Sequence, residues 1–161
     1  MITVDPPVAF GHTIFCDDIR FEVGGKLTYV GAYAQGKMFV HSPFPVVLPK
    51  LCLGISYFQK ATEVILPTKF MVFLPGDTED KPSITSEPTE KDARQALAAA
   101  HDLAIKLKIE IGLAHIHTQI VIAPLNLTQE GVIRVRAVRG DELIRLGGIS
   151  VCRPLQPSNE T

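Results

Sequence analysis

The sequence has no tryptophan, only three cysteines and almost no excess of charge of either sign. Sixteen basic residues stand against seventeen acidic ones, so the formal net charge is -1. A chain with so little net charge lacks the electrostatic attraction that draws basic proteins to nucleic acids and anionic membranes. Proline, glycine or charge interrupts every apolar run before it reaches the roughly 18 residues of a membrane-spanning helix. We therefore expect neither nucleic acid nor a membrane as partner.

The few cysteines indicate a reducing compartment. Cys16, Cys52 and Cys152 lie far apart in apolar stretches and form no CxxC pair. An odd, scattered set of cysteines argues against a disulfide framework and is typical of free thiols that serve as small buried residues. The first seven residues lack the basic and apolar segments of a signal peptide. These features together predict a cytoplasmic protein.

The sequence also lacks the short motifs of the common enzyme classes. It contains no Walker loop, no GxGxxG, no HExxH and no GxSxG. Basic residues are not interleaved with aromatic ones in the manner of single-strand nucleic-acid binders. These absences leave enzyme activity open but favour a non-enzymatic protein without a cofactor.

What the sequence does have is a series of short strand-like segments separated by turns. Hydrophobic residues make up 46% of the chain, and twelve glycines and twelve prolines punctuate them. The spacing predicts about eight strands, which belong to a mainly β, antiparallel two-layer β-sandwich, immunoglobulin-like or C2-like. We expect one domain over residues 1–161. The predicted strands are 8–16, 26–34, 37–40, 51–58, 68–74, 115–124, 132–139 and 143–152.

One acidic loop and one amphipathic helix are predicted as insertions in this domain. Residues 75–88 are polar and acidic, and Thr89 with Asp92 resembles a capping box. Alanine and leucine then recur at helical spacing, which predicts a helix over about 90–108. The acidic loop could hold calcium, as in lipid-binding β-sandwiches. It lacks the EF-hand spacing, however, which favours a solvated loop.

The N-terminal third carries a distinctive set of residues. They are Phe15-Cys16-Asp17-Asp18-Ile19-Arg20, Glu22, Gly25-Lys26, Gly31 and Tyr33. This pattern resembles that of a family of uncharacterised bacterial proteins classed as a domain of unknown function. The resemblance implies a bacterial cytoplasmic domain and names no activity.

A His-x-His pair is the best candidate for a metal half-site. His115 and His117 are two apart on a predicted strand, so both imidazoles project from one face. Two such nitrogens could reach one Zn²⁺, but further ligands must come from elsewhere in the chain. The candidates for them are His12, Asp17, Cys16 and His41. This alternative predicts a zinc-binding protein or a metal-dependent hydrolase, whereas the simpler interpretation is two polar side chains on the wet face of a strand.

Three arginines near the C-terminus are the best candidate for a ligand surface. A two-residue turn at Gly140 and Asp141 would place Arg136 directly opposite Arg145, with Arg134 on the same side. Like charges in that position are destabilising unless something negative compensates them. A neighbouring strand could supply the carboxylate, or a partner could supply a carboxylate or phosphate. Internal neutralisation is the more common case. The near-neutral charge and the missing catalytic motifs lead us to predict a module that binds a protein or a ligand, with a protein partner or a homo-oligomer as the expected state.

Overall fold

The computed structural model describes residues 9–60, 68–108 and 113–154, which form twelve strands and one helix. The prediction of a mainly β protein with one helix is confirmed. Four short strands, β2, β5, β8 and β10, were not predicted. Val8, the predicted start of the first strand, lies outside the described residues. The elements are β1 Ala9–Cys16, β2 Asp18–Glu22, β3 Lys26–Val30, β4 Lys37–Phe39, β5 Val46–Leu48, β6 Leu51–Lys60, β7 Thr68–Phe73, β8 Ile84–Ser86, α1 Glu90–Leu107, β9 Leu113–Ile122, β10 Leu125–Leu127, β11 Gly131–Arg139 and β12 Glu142–Cys152.

The strands form two larger and two smaller open sheets. One large sheet has the order β1-β6-β9, and the other has the order β4-β12-β11-β7-β8. The two-stranded sheets are β2-β3 and β10-β5. All pairs are antiparallel except β4 with β12, so the expectation of purely antiparallel pairing is wrong at this edge. The strands β6 and β7 each lie between two partners.

One hydrophobic cluster contains buried residues of both larger sheets. Alternate residues of each strand enter it, including the fully buried Tyr57 and Phe70, whose rings meet edge to face at 5.8 Å. Strand β1 of one large sheet contacts β12 of the other. A Cβ atom added at Gly11 would lie 2.4 Å from the carbonyl oxygen of Ser56 and 2.8 Å from Leu146 Cδ2. Only a glycine fits this contact without displacing a strand.

The helix α1 packs against β9. The Thr89 side chain accepts a hydrogen bond from the Asp92 amide, and the Asp92 carboxylate accepts one from the Thr89 amide, so the predicted capping box is confirmed. Two alanines, Ala100 of α1 and Ala114 of β9, form a small buried contact with Leu97 beside it. Small side chains let the helix lie close to the strand. No helix in the described part of the chain is both long and apolar enough to cross a membrane.

Candidate functional site

Strands β11 and β12 place three arginines on the outer face of the five-stranded sheet. Alternate residues of β11 are buried in the core, while Arg134 and Arg136 lie between them on the opposite face. The strands turn at Gly140, which has φ +57, and Arg136 lies directly opposite Arg145. This opposition of two like charges, predicted from the sequence, is confirmed. We call Arg134, Arg136 and Arg145 the arginine face.

A β-bulge gives Arg134 a different neighbour from Arg136. The register between β11 and β12 shifts between Val135 and Arg136, and Leu146 is the extra residue of β12. Arg134 therefore lies opposite Gly148, where no side chain occupies the facing position. The guanidinium of Arg134 extends instead over the ring of Phe73, with Cζ 4.9 Å from the ring centroid. This cation–π contact holds Arg134 against the sheet.

One carboxylate, that of Glu79, neutralises two members of the arginine face. Its Oε1 accepts a hydrogen bond from Nη1 of Arg134 and lies 3.5 Å from Nη2 of Arg136. Arg134 also donates through Nη2 to the carbonyl of Asp77 at 3.2 Å. The sequence alone did not assign Glu79 to these arginines. Glu79 lies in the loop after β7, the strand that pairs with β11, and that position could have indicated the contact.

The loop that carries Glu79 is held by contacts of its own. Leu74 to Asp77 form a turn in which the Asp77 amide donates to the Leu74 carbonyl at 3.0 Å, with Gly76 at φ +99. The Asp77 carboxylate accepts hydrogen bonds from the amides of Leu74 and Ser83, both at 2.8 Å. An aspartate that bonds to the backbone in this way closes a loop firmly. The loop is therefore anchored without the side chain of Glu79.

The rest of this sheet face leaves Arg145 uncompensated. Lys69 of β7 lies on the same face and pairs with Glu87 at 3.1 Å. Arg145 is exposed, and none of the ion pairs formed among the described residues includes it. Among the described residues, this face has five cations, the three arginines with Lys69 and with Lys37 of β4, and two carboxylates that pair with any of them, Glu79 and Glu87. A local excess of positive charge remains at Arg145, in a chain whose net charge is -1.

The predicted histidine pair lies on the outer face of the other large sheet. In one row across this sheet, His12, Ser56 and His117 are direct neighbours on three strands. In the next row, His115 stacks on Phe58 with ring centroids 4.4 Å apart. The centroids of His115 and His117 are 6.2 Å apart. We call these five residues the histidine patch.

Burial disfavours the protonated forms of His115 and His117. Burial, followed by the nearby His12, lowers the pKa of His115. Burial also lowers the pKa of His117, with His115 and His12 as further causes. Nδ1 of His117 lies 3.4 Å from Ser56 Oγ, while its buried Nε2 has no hydrogen-bond partner among the described residues. A cavity of about 280 Å³ separates the pair from α1, with Asp92 and Gln95 on its opposite wall. Both rings are therefore poised as neutral imidazoles near neutral pH.

The predicted additional metal ligands do not join the pair. His12 lies across β6 from His117, at two strand spacings or about 9.6 Å. Asp17 is engaged elsewhere, since its Oδ1 accepts a hydrogen bond from the Tyr33 hydroxyl at 3.0 Å. Within residues 9–60, 68–108 and 113–154, no three His, Cys, Asp or Glu side chains are grouped so as to hold a metal ion.

The residues of the N-terminal signature form a structural cluster. A Cβ at Gly31 would lie 2.1 Å from Asp17 Oδ2, and Gly31 has φ +65, so the carboxylate lies directly against this glycine. Burial, followed by the hydrogen bond to Asp17, raises the pKa of Tyr33 to about 12. Asp18 pairs with Lys50 at 2.6 Å. These contacts fasten the β2-β3 hairpin to the end of β1 and β6.

Sequence reasoning also missed that two of the cysteines are neighbours. Cys16 of β1 lies directly opposite Cys52 of β6, and both are buried. Burial, together with the neighbouring Cys52 and Asp17, raises the pKa of Cys16 to about 11. Burial likewise raises the pKa of Cys52. Such thiols are weak nucleophiles, and their place is in the packing of the sheet.

The arginine face is the stronger of the two candidate sites. In it, Arg136 lies opposite Arg145, Glu79 compensates only part of the positive charge, and Arg145 remains exposed. The histidine patch offers two adjacent imidazoles at a cavity. Comparisons of the chain with family models, with curated proteins and with solved structures found no match. Its function is therefore inferred from these contacts.

Proposed function

We propose that this chain is a non-enzymatic binding protein of the bacterial cytoplasm, and that its arginine face binds the anionic group of a small ligand or a partner protein. The observation that carries this proposal is the opposition of Arg136 and Arg145, a pair of like charges that only a nearby anion makes favourable. Glu79 contacts the Arg136 side of the pair and leaves Arg145 exposed. An anion from outside the chain would complete the compensation.

Guanidinium chemistry suits this role. An arginine presents a planar fork of N–H donors that matches the oxygens of a carboxylate or a phosphate, and charge-assisted hydrogen bonds of this kind are stronger than neutral ones. Arg134 and Arg136 are held by the sheet and are only partly exposed. Arg145 is free to move toward a bound group. Two fixed donors and one mobile donor form a suitable receptor for a single anionic group.

The experiment that tests the proposal is a calorimetric titration with inorganic phosphate at constant ionic strength. Arg145→Gln removes the exposed cation and leaves the core unchanged. Arg94→Gln is the matched control, because Arg94 is an exposed helical arginine that pairs with Glu90. A lost charge-assisted contact is worth roughly 1.5 kcal/mol or more, so we expect Arg145→Gln to weaken binding by about tenfold. Equal binding by the two variants, or none by the wild-type chain, would refute the proposal.

We further propose that the two larger sheets are the two layers of a β-sandwich within a single domain over residues 1–161. Support comes from the one hydrophobic cluster to which both sheets contribute and from the close approach of β1 and β12 at Gly11. The free thiols of Cys16, Cys52 and Cys152 support the cytoplasmic assignment. The partner is a protein or a second copy of the chain, which presents its anionic group to the arginine face.

A further inference from the structure

We infer that Glu79 occupies the place of the ligand in the free protein, and that a phosphate group binds the arginine face by displacing it. The inference rests on the proposed function and adds to it the chemical class of the ligand and a competitor built into the chain. It starts from the way in which one carboxylate meets two guanidinium groups.

The contact between Glu79 and the arginines is geometrically incomplete. A single oxygen, Oε1, meets both Arg134 and Arg136, so the carboxylate does not make the parallel two-oxygen contact of a bidentate pair. Nε of Arg136 is buried and has no hydrogen-bond partner among the described residues. A buried donor without a partner is costly. The site therefore has more donor capacity than Glu79 uses.

A phosphate group fits the donors that Glu79 leaves unused. It carries at least three oxygens that can accept hydrogen bonds, one more than a carboxylate, so separate oxygens can meet Arg134 and Arg136. Its second negative charge can also compensate the exposed Arg145 opposite Arg136. The three arginines thus match a phosphate better than they match a single carboxylate.

Glu79 can leave without unfolding its loop. Its side chain is 60% exposed, and ion pairs so accessible to water are weak. The loop remains closed by the bonds of the Asp77 carboxylate to the amides of Leu74 and Ser83. Arg134 keeps its bond to the Asp77 carbonyl and its place over Phe73. Displacement therefore requires only a change of side-chain rotamer.

The test compares Glu79→Gln with Glu87→Gln in a titration with inorganic phosphate. Glu87 lies by the same sheet face but pairs with Lys69, so its variant measures the general effect of removing one negative charge. Removing a weak ion pair that competes with the ligand should raise the affinity for phosphate about fivefold. We therefore expect Glu79→Gln to bind phosphate about fivefold more tightly than Glu87→Gln does. Because both positions are exposed, both variants should fold, which thermal melts will check.

The outcomes separate the inference from the proposed function. If phosphate binds equally to the two variants, Glu79 is not a competitor, while the arginine face still binds anions. If neither the variants nor the wild-type chain bind phosphate, the proposed function fails as well. A parallel titration with acetate tests the ligand class. Acetate that binds as tightly as phosphate would overturn the assignment of a phosphate group.

Discussion

Gly11 is the position at which a single methyl group tests how closely β1 packs against β6 of its own sheet and against β12 of the other large sheet. In Gly11→Ala, the new Cβ would lie 2.4 Å from the Ser56 carbonyl and 2.8 Å from Leu146 Cδ2. The Ser56 oxygen belongs to the backbone of the central strand β6 and cannot rotate away. The strand β1 must therefore retreat by about half an ångström or more, which also disturbs the packing of Leu146 in β12.

The expected cost lies at the upper end of the range for overpacked sites, about 3 kcal/mol. The matched control is Gly24→Ala in the exposed β2-β3 turn. Gly24 has φ +83, and nothing lies within 4 Å of an added Cβ, so this variant has only the backbone strain of about 1 kcal/mol. For a chain of this size, 1 kcal/mol corresponds to a Tm change of about 3 °C. We therefore expect Tm to fall by about 9 °C in Gly11→Ala and about 3 °C in the control.

Thermal and urea unfolding of both variants measure this difference. A Gly11→Ala chain that is as stable as Gly24→Ala would refute the close packing of Gly11 against Ser56 of β6 and Leu146 of β12.

Two further predictions concern the cysteines and the histidine patch. A thiol reagent at mildly alkaline pH should label Cys152 in the native chain. Cys16, with its pKa of about 11, and the buried Cys52 should be labelled only after unfolding. Fast labelling of all three thiols in the native chain would contradict their placement. Folding lowers the pKa of His117 below its usual 6.5. As the pH falls through that range, the unfolded chain therefore binds more protons than the folded chain does, and the free energy of unfolding decreases. His117→Gln should show a smaller loss of stability between about pH 7.5 and 5.5, measured by urea unfolding, and an unchanged pH dependence would show that His117 is not buried in this way.

Local patterns predicted those parts of the protein in which neighbours in sequence are neighbours in space. The opposition of Arg136 and Arg145 follows from a two-residue turn and strict alternation, and the helix follows from the capping box at Thr89 and the apolar stripe after it. His115 and His117 share an outer face because they are two apart on one strand.

Features that depend on contacts distant in sequence could not be predicted in this way. Glu79 reaches Arg134 across 55 positions, and Cys16 meets Cys52 only because β1 pairs with β6 in one register. The strands β5, β8 and β10 have three residues each, too few to display a period of two. The parallel pairing of β4 with β12 brings together segments more than a hundred positions apart, which alternation within a strand does not encode.

The most direct test of the central claim, that the arginine face is an anion receptor, is an NMR titration of the wild-type chain with inorganic phosphate at constant ionic strength. The side-chain Nε–H resonances of the arginines report the contacts of each guanidinium separately. We predict saturable shifts at Arg134, Arg136 and Arg145, with none at Arg94 on the helix. Shifts that are equal at all four arginines, or that do not saturate, would contradict the account.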